Sequence, residues 1–152
     1  MSELPIKIRR SGTEDAGVLF DIDQICFPVD IAFSHDEITS YLNHPKSIAW
    51  AAERAGRILV YVVVQMGSDL LAHVITLDVR PEARRQKIGT ALMSRMHREL
   101  RQRGVHVIVL EVEVDNRAAQ KLYEKLRYRY LEKISGYYHG RQDAYRMARF
   151  FK

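Results

Sequence analysis

Between Leu70 and Val114 the hydrophobic period changes twice, and that pattern leaves few folds open to the chain. LLAHVITLDV (70–79) is a dense apolar run of strand type. Ile88 to Arg103 carries apolar residues at helical spacing and stops at Gly104, a residue suited to a helix C-terminus. VHVIVLEVEV (105–114) is strand-like again. A strand, a long helix and a second strand make a βαβ unit, which sets its two strands parallel.

The flanks extend this core. SIAWAAE (47–53) and RILVYVVVQM (57–66) are further strand-like runs, and Arg54–Gly56 and Gly67–Asp69 read as hairpin turns, so the middle of the chain is an antiparallel meander. Pro5 to Arg10 reads as a first strand. Thr13 to Cys26 reads as a helix, capped by Ser11 or Thr13 and stopped by Phe27-Pro28. Ser34 opens a second helix with Glu37 at capping-box spacing, and Asn43-His44-Pro45 ends it. After the βαβ unit come a helix over Asn116–Leu126 and strands over Tyr128–Ile134 and Asp143–Phe150. The order predicts a single-domain α/β fold: a mixed, mostly antiparallel sheet with a central parallel strand pair and flanking helices.

The 152 residues are expected to form one domain, 1–152. An apolar content of 47% with 28% charged residues excludes a disordered chain. No apolar run is long enough to span a bilayer, and MSELPIKIRR has no signal-peptide core. The lone Cys26 permits no internal disulfide. The expectation is a cytoplasmic protein without a membrane partner, a monomer or weak dimer. The net charge of +5 suits nucleic acid, an acidic protein or a phosphorylated ligand. No aromatic–basic RNA motif or zinc-finger spacing is present, so no nucleic-acid partner is expected. His73 and the other five histidines show no metal-ligand spacing, so no metal is expected.

ARRQKIGTALM (83–93) places Arg84, Arg85, Gln86, Lys87 and Gly89 directly before the long helix. A helix N-terminus has unpaired N–H groups and a partial positive charge, and anions bind there. Gly89 would let a ligand approach the backbone closely. The pattern points to a phosphate; the plainer alternative is a basic loop whose glycine serves packing.

This stretch resembles the R/Q-x-x-G-x-G/A motif of the Gcn5-related N-acetyltransferases (GNAT), with Lys87 where the family has its first glycine. LEVEVDNRAAQKLYEKLRY (110–128) resembles the L-E-V-x-x-x-N-x-x-A-x-x-L-Y segment of the ribosomal-protein and other N-terminal α-amino acetyltransferases in that family. Leu110, Glu111, Val112, Asn116, Ala119, Leu122 and Tyr123 match; Arg127 stands for a family glycine and Tyr128 for a phenylalanine. GYYHGRQDAYRM (136–147) resembles the same subfamily's ending, and Phe27-Pro28-Val29 resembles a substrate loop of its eukaryotic members.

The resemblance implies a GNAT fold and acetyl transfer from acetyl-CoA, without a metal, by direct attack of an amine in a ternary complex. Arg84, Arg85, Gln86, Lys87, Ile88, Gly89 and Thr90 would wrap the pyrophosphate. Leu77, Asp78 and Val79 would offer backbone to the pantetheine arm where two parallel strands splay, and a backbone N–H, that of Leu77, would polarise the thioester. Asn116 would cap its helix and touch pantetheine. Glu111 would be the general base and Tyr123 the general acid. Phe27, Pro28, Ile31, Tyr137 and Tyr138 would line the amine side, with a protein or peptide N-terminus as acceptor.

Burial is expected to raise the Glu111 pKa toward a useful value. Glu113 would share its face. Tyr123 could instead be a core tyrosine beside a buried Leu122, and Cys26 reads as packing. Three alternatives stay open: a small amine or lysine side chain as acceptor, a non-catalytic acyl-CoA sensor, and a basic nucleic-acid-binding module.

Overall fold

RILVYVVVQM becomes a strand with a core on each face, and the sheet is built around it. In the computed structural model, which describes residues 4–68 and 70–151, the strands are β1 (Lys7–Ser11), β2 (Ser47–Arg54), β3 (Arg57–Met66), β4 (Leu71–Val79), β5 (Val107–Glu113), β6 (Arg129–Tyr138) and β7 (Gln142–Phe150). The helices are α1 (Ala16–Cys26), α2 (His35–Asn43), α3 (Ile88–Gln102) and α4 (Arg117–Lys125). One sheet has the order β1-β2-β3-β4-β5-β7-β6. Only β4 and β5 pair parallel; the other neighbours are antiparallel.

Along β3, Val60, Val62 and Val64 face a core completed by Leu92, Met93, Met96 and Leu100 of α3. Tyr61 and Val63 face a second core with Leu19 and Ile22 of α1 and Ile38 of α2. Each fully buried Val or Leu contributes about 1.5–3 kcal/mol. On β5, Ile108, Leu110 and Val112 join the α3-side core, which turns Val109, Glu111 and Glu113 to the opposite face.

Local signals resolve much as expected. Ser34 Oγ accepts the Glu37 N–H (3.1 Å) while Glu37 Oε1 accepts the Ser34 N–H (2.9 Å). Asn116 Oδ1 accepts the Ala119 N–H at 3.2 Å. Gly104 takes φ +88° after α3, and Val105 N–H bonds back to Leu100 O in a Schellman motif. The first helix differs. Thr13–Asp15 is a 3-10 turn, and neither Ser11 nor Thr13 caps α1. Ser11 donates instead to Asp15 Oδ2 (2.8 Å), because that carboxylate is anchored by Arg9. β5 begins two residues later than expected and β6 runs on to Tyr138. The expected turn at Gly67–Asp69 includes Asp69, which lies outside the described residues.

β4 carries a bulge. Val63 pairs with Thr76 and Val64 with Val74, leaving Ile75 without a partner. The bulge swaps the strand's faces. Ala72 and Val74 face the α3-side core before it, and Leu77 and Val79 do so after it. Asp78 therefore turns toward α1.

Candidate active site

β4 and β5 pair at Leu71–Val107, Ala72–Ile108 and His73–Val109, and then part. β4 continues to Val79 and β5 to Glu113 without further pairing between them. The β4 edge past His73 is a row of backbone groups with no strand opposite, and a sheet edge of this kind accepts an extended partner. Pro81 ends the pairing with β3 by opening a 3-10 turn.

The end of β4 leads into the basic loop. Arg85 (φ +64°) and Lys87 (φ +62°) are left-handed, and Lys87 is the N-cap of α3. Such residues curl backbone N–H groups into an anion-binding concavity. Each costs roughly 1 kcal/mol relative to glycine. Gln86 braces the loop by donating to Glu82 O (2.7 Å) and accepting from Arg54 (3.4 Å). Arg84, Arg85 and Lys87 are exposed and have no acidic partner among the described residues. Thr90 is half-buried in the first turn and Ile88 is buried. A Cβ on Gly89 would meet Val79 at 3.5 Å and Leu122 at 3.8 Å, ordinary contacts, so internal packing does not demand this glycine.

Glu111 is the centre of a polar cluster. Its Oε1 accepts from His73 Nε2 (2.6 Å) and the Tyr137 hydroxyl (3.0 Å), and its Oε2 accepts from Arg146 Nε (3.0 Å). Its side chain is 5% exposed, whereas that of His73 is 36% exposed. Burial pushes the Glu111 pKa up, but the hydrogen bonds and charges of His73, Arg146 and Tyr137 together hold it below the ordinary value. The expectation of a raised pKa is thus corrected: the donors outweigh the burial. Glu113 shares the face, as its spacing required, and burial and Asp115 raise its pKa.

Tyr123 is 6% exposed, while Leu122, expected to be buried, is only half-buried. Burial and the nearby Asp78 carboxyl push the Tyr123 phenol well up, so it stays protonated. Its hydroxyl has no hydrogen-bond partner among the described residues, and its ring packs against Tyr128 at 5.7 Å. Arg127, after α4, takes φ +71° as the left-handed residue of a Schellman motif, with Tyr128 N–H bonding back to Tyr123 O.

The residues expected on the amine side lie on two segments joined by one ion pair. Arg141, in the β6–β7 turn, pairs with Asp30 at 3.1 Å, tying that turn to the Phe27–Ile31 loop across the sheet. Phe27 and Ile31 are half-buried; Pro28 is exposed and Val29 is 88% exposed. The Tyr137 and Tyr138 rings meet edge-on at 4.9 Å. Burial and Glu111 push the Tyr137 phenol up to about 12. Cys26 donates to Val79 O (3.2 Å), and burial with Asp78 pushes its thiol up to about 11, which suits packing and not nucleophilic attack. Among the described residues no cluster of His, Cys, Asp or Glu could hold a metal, and no helix is long and apolar enough to cross a membrane.

The Acetyltransferase (GNAT) family model matches residues 18–128. The chain belongs to this acetyltransferase family. The chain is 31% identical to the ribosomal protein bS18-alanine N-acetyltransferase of Escherichia coli K12 over 142 residues, covering 90% of this chain and 91% of that protein. The crystal structure of the E. coli ribosomal-protein-S18-alanine N-acetyltransferase superposes with a TM-score of 0.86 at 27% identity, over 95% of this chain and 92% of that one. This chain is 34% identical to N-alpha-acetyltransferase 30 of Schizosaccharomyces pombe over 91 residues, or 60% of its length; that match spans 61% of the yeast protein's length. Arabidopsis thaliana NAA60, solved in complex with acetyl-CoA, shares the fold with a TM-score of 0.83 at 21% identity, over 97% of this chain and 99% of that one.

Two residues of the Glu111 cluster were not assigned to it from the sequence. His73 and Arg146 lie 38 and 35 positions from Glu111, on strands that only the sheet order brings beside it. The one available signal was His73 as a polar residue inside the apolar run that opens β4.

Proposed function

We propose that this GNAT protein moves an acetyl group from acetyl-CoA to the N-terminal α-amine of a protein or peptide. The observation that carries the reading is the divergence of β4 and β5 past His73, beside a basic helix start. Pantetheine would pair with the free edge of β4 at Leu77–Val79, and its pyrophosphate would lie on the loop from Arg84 to Thr90. Gly89 supports this, because its missing side chain answers to no internal contact. Asn116 stands at the start of α4 and could reach the same arm.

Transfer needs an amine that has lost a proton, an acyl oxygen with a donor, and a protonated leaving thiol. A backbone N–H of β4, that of Leu77, would polarise the thioester. Glu111 keeps its charge, accepts the Nε2 proton of His73, and leaves the other imidazole nitrogen to take the amine proton. Glu111 then stabilises the cation it has helped to form, as in other carboxylate–histidine pairs. Tyr123, held as a neutral phenol, would protonate the coenzyme A thiolate. Phe27, Pro28, Ile31, Tyr137 and Tyr138 would grip the acceptor end, and attack would be direct.

The test is a panel of short peptides, half with free N-termini and half blocked there but carrying lysines. Thiol release and product mass are read with acetyl-CoA as donor. Acetylation of free N-termini alone is the expected result. Acetylation of lysines alone, or of small amines and no peptide, would overturn the α-amine reading.

A further inference from the structure

Asp23 and Asp78 are both fully buried, from α1 and β4, and neither has an ion-pair partner among the described residues. Thr76 Oγ donates to Asp78 Oδ1 at 2.5 Å, and the Phe33 N–H donates to Asp23 Oδ2 at 2.6 Å. The remaining oxygens, Asp23 Oδ1 and Asp78 Oδ2, are sealed from solvent together with the Tyr61 hydroxyl, and none has another partner. Cys26 of α1 bonds to Val79 O at 3.2 Å, which seats the end of α1 on β4; the bulge at Ile75 turns Asp78 toward that helix, and Tyr61 faces the same core, so the orphan oxygens line one seam. Two ionised carboxylates cannot share so dry a site, and one proton between them satisfies both orphan oxygens.

The position of Asp23 gives this pair a task. Its backbone carbonyl accepts the Phe27 N–H (3.1 Å), and its side chain accepts the Phe33 N–H. One residue thus pins both ends of the 27–33 loop. Gln24 adds a bond to Phe33 O (2.7 Å), and Pro28 O accepts from Ile31 and Ala32 inside the loop. Asp78 sits between Leu77 and Val79 on the strand whose edge is free.

We propose that Asp23 and Asp78 share one proton across this seam and so position the 27–33 loop against β4. The pair is a positioning device for the acceptor, and this rests on the reading of 27–33 as the acceptor loop. Burial pushes both carboxyls up; Asp23 drives Asp78 further up, while the bond to Asp78 draws Asp23 partly back, the asymmetry of a donor and an acceptor sharing one proton. The other groups facing the pair are Tyr61 of β3, Glu37 of α2, Cys26 of α1 and Tyr123 of α4, with Arg84 beyond Cys26. None supplies a cation able to replace the proton. Loss of the proton at alkaline pH forces the carboxylates apart and loosens the loop.

The test compares wild type, Asp23→Asn and Asp23→Ala in steady-state kinetics across pH, with the best peptide of the panel. An asparagine can accept from Phe33 and donate to an ionised Asp78, so it needs no shared proton. The wild-type acceptor KM is expected to rise on the alkaline side while the acetyl-CoA KM holds. Asp23→Asn is expected to keep the neutral-pH acceptor KM and to flatten that rise. Asp23→Ala is expected to raise the acceptor KM about tenfold at every pH, the loss of one charged or buried hydrogen bond. An unchanged acceptor KM in Asp23→Ala, or a wild-type alkaline rise in Asp23→Asn, would overturn the proposal. A readout without turnover separates its failure from that of the functional reading: the infrared spectrum at neutral pH should show a buried protonated carboxyl that Asp23→Asn removes. No such band in wild type refutes the pair, whatever the panel shows.

Discussion

Glu111 and Asp78 lie on adjacent strands of one sheet, both with carboxyls shut from solvent, and their environments drive them opposite ways. Glu111 is met by His73, Tyr137 and Arg146, three donors of which one is a permanent cation, and it is held ionised. Asp78 is met by Asp23, Thr76 and Tyr61, and it is pushed toward the neutral acid. Burial is common to both, so burial does not set the charge state; the donors and charges brought by neighbouring elements do. The signs of the pH effects follow. Glu111, depressed in the folded state, contributes stability above the ordinary glutamate value that is lost as pH falls through its folded value. The acid pair, raised in the folded state, contributes most at low pH and loses stability as pH rises from the ordinary aspartate value to its folded one.

The largest test of this contrast removes the charge that Glu111 keeps. Glu111→Gln is expected to lower kcat by roughly 10²–10⁴-fold, the usual worth of acid–base catalysis, with the acetyl-CoA KM nearly unchanged. Tyr123→Phe should produce a loss in the same range by removing the acid at the other end of the reaction. Turnover within a few-fold of wild type in either variant would remove that residue from the chemistry.

A middle-sized effect comes from weakening the donors instead. Arg146→Gln leaves Glu111 with His73 and Tyr137 but without the guanidinium 3.0 Å away. The Glu111 carboxyl should then titrate at higher pH than in wild type, followed by carbon NMR of the labelled side chain. Activity should fall on acidification at a pH where wild type still works. An unmoved titration would mean that His73 and Tyr137 set the charge without the guanidinium.

The smallest effects concern backbone. Arg127→Gly and Lys87→Gly each relieve a left-handed non-glycine residue, worth about 1 kcal/mol, or a thermal midpoint about 2–4 °C higher. Arg127→Gly should leave kinetics alone. Lys87→Gly should also raise the acetyl-CoA KM, by up to about fivefold, because an exposed cation near a phosphate contributes modestly. A Lys87→Gly protein with unchanged acetyl-CoA KM would show that the lysine serves no phosphate.

The sequence determined what acts over a few residues. The two changes of period between Leu70 and Val114 fixed the βαβ unit. Ser34, Asn116 and Gly104 marked helix ends because capping is chemistry between near neighbours. The basic loop and Glu111, Asn116 and Tyr123 could be singled out because their pattern is compact along the chain. Only the tertiary structure decided the charge of Glu111, since its donors arrive from β4, β6 and β7. It also left Leu122 half-buried and put Tyr123 in the core, because the α4 face that meets the core was set by α3 and the sheet. The pairing of Asp23 with Asp78 was illegible for the same reason. It depends on one bulge at Ile75 that turns Asp78 toward α1, and a bulge is a register decision between strands, with no local sequence signal here.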